Sequence, residues 1–247
     1  MSENPTESGR AYFIADLHLT DERPEINGRF FHFIEHIAQG ADALYILGDL
    51  FEYWIGDDDL STVIALEASK KLSALQKAGT AIYFMHGNRD FLIAEKYARL
   101  SGMTLIQDPT LISLYGQPTL LMHGDTLCID DHAYQSFRNK IRRPWVQSLL
   151  LTLPISVRQR LAGLARTGSK AAKQAKAEEI MDVNLEEVAR IVRLHGYPRL
   201  IHGHTHRPAR HEHEIDGRVC QRWVLPDWYQ TGGYLVCDHR KCRLESV

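Results

Sequence analysis

The chain has 247 residues, of which 44% are hydrophobic and 24% charged, and its net charge is −2; this balance is usual for a soluble globular protein. The first ten residues are polar and lack the apolar stretch of a secretion signal, and no apolar run approaches the ~20 residues of a membrane-spanning helix. The four cysteines form no CxxC pair, which argues against a zinc-type cysteine site and favours reduced thiols in the cytosol.

Apolar runs and helical periodicities alternate through the first hundred residues, after a polar tail at residues 1–10. They predict strands at 11–15, 43–47 and 80–85 and helices at 29–39, 61–78 and 92–100. Later runs predict a hairpin (111–115 with 119–122), a strand at 199–201 and closing strands at 212–215, 219–225 and 234–237. This order favours an α/β domain with a mixed sheet or two packed sheets, in which ligands collect beyond the carboxyl ends of strands.

Two metal-competent side chains, Asp16 and His18, follow the first predicted strand. Successive side chains of a strand alternate between its faces, so these two point the same way and can reach one ion. A lone D-x-H pattern is common by chance and is more often a surface feature than a metal site. Its weight here comes from four more polar clusters, each of which follows an apolar run.

Those clusters are Gly48-Asp49, Gly87-Asn88-Arg89-Asp90, His123-Gly124-Asp125 and Gly203-His204-Thr205-His206. Taken singly, the first two are typical of ordinary turns. The last cluster has two alternating imidazoles after a strand, which are harder to explain as surface residues without a function. All of them in this order, each after a predicted strand, indicate a single site.

The candidate ligands comprise two carboxylates, one amide oxygen and four imidazoles. They are Asp16, His18, Asp49, Asn88, His123, His204 and His206. Seven donors are too many for one four-coordinate zinc but suit two divalent ions that share a carboxylate. A mixed nitrogen and oxygen set without thiolates favours Mn²⁺, Fe²⁺ or Zn²⁺ over Ca²⁺, and paired metals are a common clamp for phosphoryl chemistry.

The order D-x-H, G-D, G-N-R-D, H-G-D, G-H-x-H resembles the calcineurin-like metallophosphoesterase superfamily over residues 14–206. The resemblance implies a four-layer α/β/β/α sandwich formed by one domain, 1–247. It also implies which residues hold each ion. One ion would take Asp16, His18, Asp49 and His206; the other would take Asp49, Asn88, His123 and His204, with Asp49 bridging.

Arg89 departs from the superfamily pattern, which usually has G-N-H at this cluster, with a histidine that assists the leaving group. A guanidinium stays charged and cannot act as an acid, but it can hold phosphate oxygens with forked hydrogen bonds. The leaving group is therefore expected to need no proton, as when a phosphate leaves from a pyrophosphate.

The strings at 15–19, 48–58 and 87–91, together with Asp130-Asp131 and the basic segment below, resemble one branch of the superfamily. That branch is implied to use two Mn²⁺ ions and a metal-activated water that attacks the α-phosphorus of UDP-2,3-diacylglucosamine. The products would be UMP and 2,3-diacylglucosamine 1-phosphate, in lipid A biosynthesis. The resemblance implies catalytic roles for Asp49, Asn88, Arg89 and His123, and substrate contacts by Asn88, Arg89, Asp131, Ser169, Lys173, Lys176 and His204.

Residues 132–177 contain ten of the 29 basic residues and none of the 31 acidic ones, so the rest of the chain has a balance of −12. Apolar residues at helical spacing are interleaved with the basic ones, which indicates amphipathic helices. Three interpretations compete: a helical subdomain with a solvated basic face, a nucleic-acid surface, and a lid that seats acyl chains and meets anionic lipid. The resemblance favours the lid.

The expected protein is thus a monomeric enzyme that binds a lipid-linked UDP-sugar and no nucleic acid. It would be cytoplasmic and peripheral to the inner membrane. One alternative is a general metallophosphodiesterase or nucleotide pyrophosphatase for soluble substrates. The other is a non-catalytic membrane-associated scaffold, which we disfavour because every ligand position is filled.

Overall fold

The computed structural model describes residues 9–60, 62–175, 182–229 and 232–247, with the backbone alone for 166–175. Most of the predicted N-terminal tail lies outside these ranges. Lys176 lies outside them too, and the side chains of Ser169 and Lys173 are outside the described part of their helix.

The described ranges contain eleven strands and seven helices. The strands are β1 (Ala11–Ile14), β2 (Ala43–Ile46), β3 (Ala81–Met85), β4 (Met103–Ile106), β5 (Thr110–Leu114), β6 (Gln117–Met122), β7 (Arg199–His202), β8 (Ala209–Ile215), β9 (Arg218–Val224), β10 (Gly233–Cys237) and β11 (Cys242–Ser246). The helices are α1 (Pro24–His32), α2 (Val63–Lys77), α3 (Glu95–Ser101), α4 (His132–Ile141), α5 (Pro144–Thr152), α6 (Ile155–Ala175) and α7 (Leu185–Leu194).

The strands form two sheets. The first has six strands in the order β11-β10-β1-β2-β3-β4. Strands β1 to β4 are parallel, and β10 runs antiparallel to both of its neighbours, β1 and β11. The second has five strands in the order β5-β6-β7-β9-β8, in which β6, β7 and β9 are parallel. Because β1, β2 and β3 point the same way, their carboxyl ends meet at one edge of the first sheet.

Three apolar cores define four layers. Alternation along β1 sends Ile14 toward the helices that cover the first sheet, and Phe13 toward the space between the sheets. On the far side of the second sheet, Val188 and Val192 of α7 pack over Leu200 of β7. Strands that are buried on both faces consist of continuous apolar runs, and for this reason the sequence predicts them. The predicted α/β/β/α sandwich is confirmed.

Several elements differ from the prediction. The first helix begins at Pro24, earlier than expected, and continues as a π-helical turn at Phe33–Ile37. Strands β4 and β11 and helix α7 were not predicted. Helix α7 has a clear start signal, since the side chain of Asn184 accepts a hydrogen bond from the Glu187 backbone N–H at 3.1 Å.

The cysteines require a correction. Cys237 and Cys242 face each other across the β10–β11 hairpin, with 4.0 Å between their Cα atoms, and they form a disulfide. The expectation that all four thiols are reduced is therefore wrong for this pair. Cys128 and Cys220 are not part of this disulfide, and both are buried.

Helices α4, α5 and α6 form an insertion between β6 and β7. No residue of α4 or α5 is buried. The insertion is tied to the sandwich by Arg158 of α6, whose guanidinium donates to the Ile55 carbonyl at 2.5 Å and forms an ion pair with Asp58. Among the described residues, no helix is both long and apolar enough to cross a membrane.

Candidate metal centre

The predicted ligands occupy loops at the carboxyl ends of five strands. Asp16 and His18 follow β1, Asp49 follows β2 and Asn88 follows β3 in the first sheet. His123 follows β6, and His204 and His206 follow β7, in the second sheet. The two sheets thus contribute to one cleft at their shared edge.

One group of donors forms around Asp16. Its carboxylate and the imidazoles of His18 and His206 offer ligand atoms that all lie within 4.8 Å of one another. Asp16 Oδ1 is 3.5 Å from His206 Nε2. Asp16 and His18 approach from the loop after β1 and His206 from the loop after β7, so an ion between them would be held by both sheets.

A second group adjoins the first through Asp49. Asp49 Oδ1 lies 3.9 Å from His123 Nε2, while Asp49 Oδ2 lies 3.7 Å from His18 Nε2. The Asn88 amide oxygen lies 3.1 Å from both His123 Nε2 and His204 Nδ1. The two oxygens of Asp49 therefore face one imidazole in each group, as a bridging carboxylate would.

Backbone conformation marks the same residues. Five of the seven predicted ligands have left-handed φ angles between 52° and 71°. They are Asp16, His18, Asp49, His204 and His206. Few non-glycine residues adopt this conformation, and residues that do so cluster at functional sites because the surrounding structure must hold them there.

Glycines in the motifs allow the loops to approach closely. A Cβ atom on Gly87 would lie 2.1 Å from Asp49 Oδ1, and one on Gly203 would lie 2.5 Å from Asp16 Oδ2. Such distances are far inside van der Waals contact. The glycines that precede Asn88 and His204 are thus required by the packing of neighbouring loops against the two carboxylates.

The donor set fits a divalent cation. His123 Nδ1 lies 2.8 Å from the Leu47 carbonyl, which can only accept, so a neutral His123 presents the lone pair of Nε2 to the cleft. That lone pair faces the oxygen of Asn88. A reversed amide would instead donate to His123, His204 and Asp49. With the oxygen inward, several acceptors meet at one point, and a cation satisfies them all.

Electrostatics point the same way. Burial opposes protonation of His123, but the Asp49, Asp125 and Asp16 carboxylates outweigh it and raise its pKa to about 9. Burial also opposes ionisation of Asp16, yet His206 holds the pKa of that carboxyl well below its usual range. The cleft thus favours positive charge between these carboxylates, which a metal ion supplies.

Two buried carboxylates that were not among the predicted ligands support the loops. Asp90 accepts from the backbone N–H groups of Leu50, at 2.7 Å, and Gly87, at 2.9 Å. Asp125 accepts from Tyr134 at 2.7 Å and from Arg138 at 2.6 Å. Each acid is the last residue of a motif, G-N-R-D or H-G-D. This position in the motif is the feature of the sequence that could have identified them as residues of the site.

Other residues around His18 gave no signal in the sequence. Glu52 is buried, and its Oε2 lies 4.0 Å from His18 Nδ1. The ring of Tyr229 stacks on His18 with 5.2 Å between centroids, and the Arg23 guanidinium lies 4.8 Å from the Tyr229 ring. They restrict the orientation of the imidazole, as second neighbours of metal ligands commonly do.

The predicted substrate contacts are placed in part. The Arg89 backbone N–H donates to Asp49 Oδ1 at 2.9 Å, so Arg89 lies at the cleft. Asp131 is the N-cap of α4, where its side chain accepts from the Tyr134 N–H. Ser169, Lys173 and Lys176 fall outside the described side chains.

Two sheets with a cluster of aspartates and histidines at their shared edge define a metallophosphoesterase. The family model for calcineurin-like phosphoesterases matches residues 9–208, and the chain belongs to this family and is a hydrolase. Proteins named UDP-2,3-diacylglucosamine hydrolase are similar to it over most of their length. That of Aromatoleum aromaticum is 50% identical over 92% of this chain and 93% of its own, and that of Salmonella arizonae is 51% identical over 89% and 91%.

Gly87→Ala should displace Asp49, because its Cβ would overlap the carboxylate. We expect divalent-metal affinity to fall by at least about tenfold, comparable to the loss of a supporting group around a metal ligand. Equilibrium dialysis followed by elemental analysis measures this. The control is Gly28→Ala on the exposed side of α1, where a Cβ meets nothing within 4 Å. Equal affinity in the two variants would contradict the packing argument.

Proposed function

We propose that this protein hydrolyses the pyrophosphate bond of UDP-2,3-diacylglucosamine, giving UMP and 2,3-diacylglucosamine 1-phosphate. The observation that carries the proposal is the convergence of Asp16, Asp49, Asn88 and the four histidines in one cleft. The substrate is suggested by the names of relatives that are about 50% identical over about 90% of the chain.

We propose further that the cofactor is a pair of Mn²⁺ ions. Asp16, His18, Asp49 and His206 would hold one, and Asp49, Asn88, His123 and His204 the other. Such a pair, when bound, lowers the pKa of water and neutralises phosphate oxygens. The mixed oxygen and nitrogen donors, without a thiolate, suit manganese.

Arg89 and Asn88 are proposed to bind the phosphate that leaves with the sugar. The backbone of Arg89 is fixed by its hydrogen bond to Asp49, so its side chain starts from a defined point at the cleft. A guanidinium supplies charge and forked N–H donors, which stabilise negative charge as it grows on the leaving phosphate. It supplies no proton, and a phosphate leaving group requires none.

The helical insertion, residues 132–177, is proposed to act as a lid for the acyl chains. Its exposed apolar side chains are unusual for a surface in water. They include Phe137, Trp145, Leu149, Leu151 and Leu164, each more than 40% exposed. Helix α4 is attached to the metal centre by hydrogen bonds from Tyr134 and Arg138 to Asp125. Just after the helix, Arg142 donates to the Gly87 carbonyl at 2.7 Å.

We also propose that the protein works at the cytoplasmic surface of the inner membrane. The described part of the insertion combines those apolar side chains with Arg138, Lys140, Arg142 and Arg143 and carries no acid from residue 132 to 165. A surface that is both basic and apolar suits an anionic lipid interface. The proposed substrate carries its acyl chains in that interface.

Asp49→Ala should abolish turnover, because this carboxylate faces both groups of donors. We expect release of UMP from the diacylated substrate to fall by at least about a thousandfold, since metal ions supply several kcal/mol to such reactions. A chelator should do the same to the unmodified protein. The control is Asp216→Ala, an exposed carboxylate bonded to Arg193 and Tyr197. Full activity of Asp49→Ala would refute the proposed function.

Leu149→Ser should impair use of the acylated substrate. Leu149 is 58% exposed in α5, and burying a leucine is worth about 1.5–3 kcal/mol. We expect kcat/KM to fall by about tenfold or more. Leu194→Ser is the matched control, since Leu194 is 68% exposed on α7, outside the insertion. An equal rate with a UDP-sugar that lacks acyl chains would favour the soluble-substrate alternative.

A further inference from the structure

A cavity of about 270 Å³ lies on the outer side of the second sheet, beside the metal centre. It is lined by Thr205, Arg207, His211 and Arg222, with Asp182 at the return from the helical insertion. Thr205 lies between His204 and His206 in the chain, so the cavity wall continues into the loop that carries these candidate ligands. The volume corresponds to roughly nine waters at ~30 Å³ each, enough for a small ligand.

Arg222 is the unusual member of this wall. It is only 5% exposed, yet its partners are two imidazoles rather than a carboxylate. Its Nε donates to His213 Nε2 at 3.1 Å, and its Nη1 donates to His202 Nε2 at 3.2 Å. A guanidinium has five N–H donors, and within the described ranges Arg222 makes no other hydrogen bond and no ion pair.

Both imidazoles are neutral acceptors. His202 Nδ1 lies 2.8 Å from the Gly203 carbonyl, which can only accept, so Nδ1 carries the proton and Nε2 the lone pair. His213 Nε2 accepts from Arg222 Nε, and burial followed by the charge of Arg222 lowers the pKa of His213. Hydrogen bonds to neutral nitrogens satisfy donors but do not balance a buried charge. An uncompensated buried charge is costly unless an anion joins it.

The nearby carboxylate of Asp182 acts on the charge of Arg222 only through space, without a hydrogen bond to it. Asp182 Oδ2 lies 2.8 Å from Arg207 Nη1 and forms an ion pair with that guanidinium. Asp182 and Arg207 thus balance each other at the rim. What remains inside is the charge of Arg222, with unused N–H donors and with the His211 imidazole beside it.

We infer that this cavity is a second anion site, which binds a phosphate group through Arg222 and His211. The forked donors of a guanidinium match phosphate oxygens, and such charge-assisted hydrogen bonds are strong. The cavity has room for more than the phosphate, so the group can be free phosphate or the monoester of a small molecule. The inference does not rest on the proposed function, because it concerns binding without turnover.

The test is calorimetric titration of the full chain with inorganic phosphate and, separately, with UMP. Each titration is repeated with and without chelator, because phosphate held by metal ions is lost on chelation while phosphate in the cavity is retained. Arg222→Gln should weaken the chelator-resistant binding by at least about tenfold, as expected for loss of charge-assisted hydrogen bonds. Binding of inorganic phosphate indicates a site for the free anion, whereas binding of UMP alone indicates a nucleotide site.

Because Arg222 is buried, its replacement can unfold the protein, and circular dichroism detects this. His211→Gln then decides, since His211 is only half-buried and should also weaken binding. The matched control is Arg210→Gln. Arg210 is the neighbouring residue of β8, but it packs over Trp223 on the opposite face. Binding that vanishes with chelator, or that is equal in the Arg210, His211 and Arg222 variants, overturns the inference.

Discussion

The structure depends on one constraint: two buried carboxylates, Asp16 and Asp49, must be held close together at the shared edge of two sheets. Burial disfavours their charge, so imidazoles from both sheets surround them. The loops that bring those imidazoles are closely packed, which explains the motif glycines and the left-handed backbone of five candidate ligands. A bound metal ion would offset both the burial of the two carboxylate charges and the strain of the left-handed backbone.

The same constraint connects the helical insertion to the chemistry. Asp125 belongs to the loop that carries His123, and it anchors α4 through Tyr134 and Arg138. Burial would raise the pKa of Asp125, but His123 and Arg138 hold it below its usual range. Movement of α4 would therefore disturb a charge that lies close to a candidate ligand. The site and the helical insertion are coupled by this buried ion pair.

Much of the site was predictable because its signals are local. The strands that precede Asp16 and Asp49 are recognisable in the sequence because each is an apolar run that is followed by a polar residue. Residues such as Glu52 and Tyr229 were missed because their contacts with His18 arise only when distant loops meet. The short edge strands β4 and β11 were missed for a similar reason, since their pairing is set by their neighbours. Likewise, the bond between Cys237 and Cys242 follows from the register of a hairpin and not from cysteine spacing.

The dinuclear centre is tested most directly by anomalous X-ray diffraction at the manganese edge, on crystals of the full chain grown with MnCl₂. We expect two peaks, one among Asp16, His18, Asp49 and His206 and one among Asp49, Asn88, His123 and His204. Asp49 should contact both. Absence of a peak at this edge of the sheets, or metal bound without Asp49, would contradict a metal centre that is bridged by Asp49.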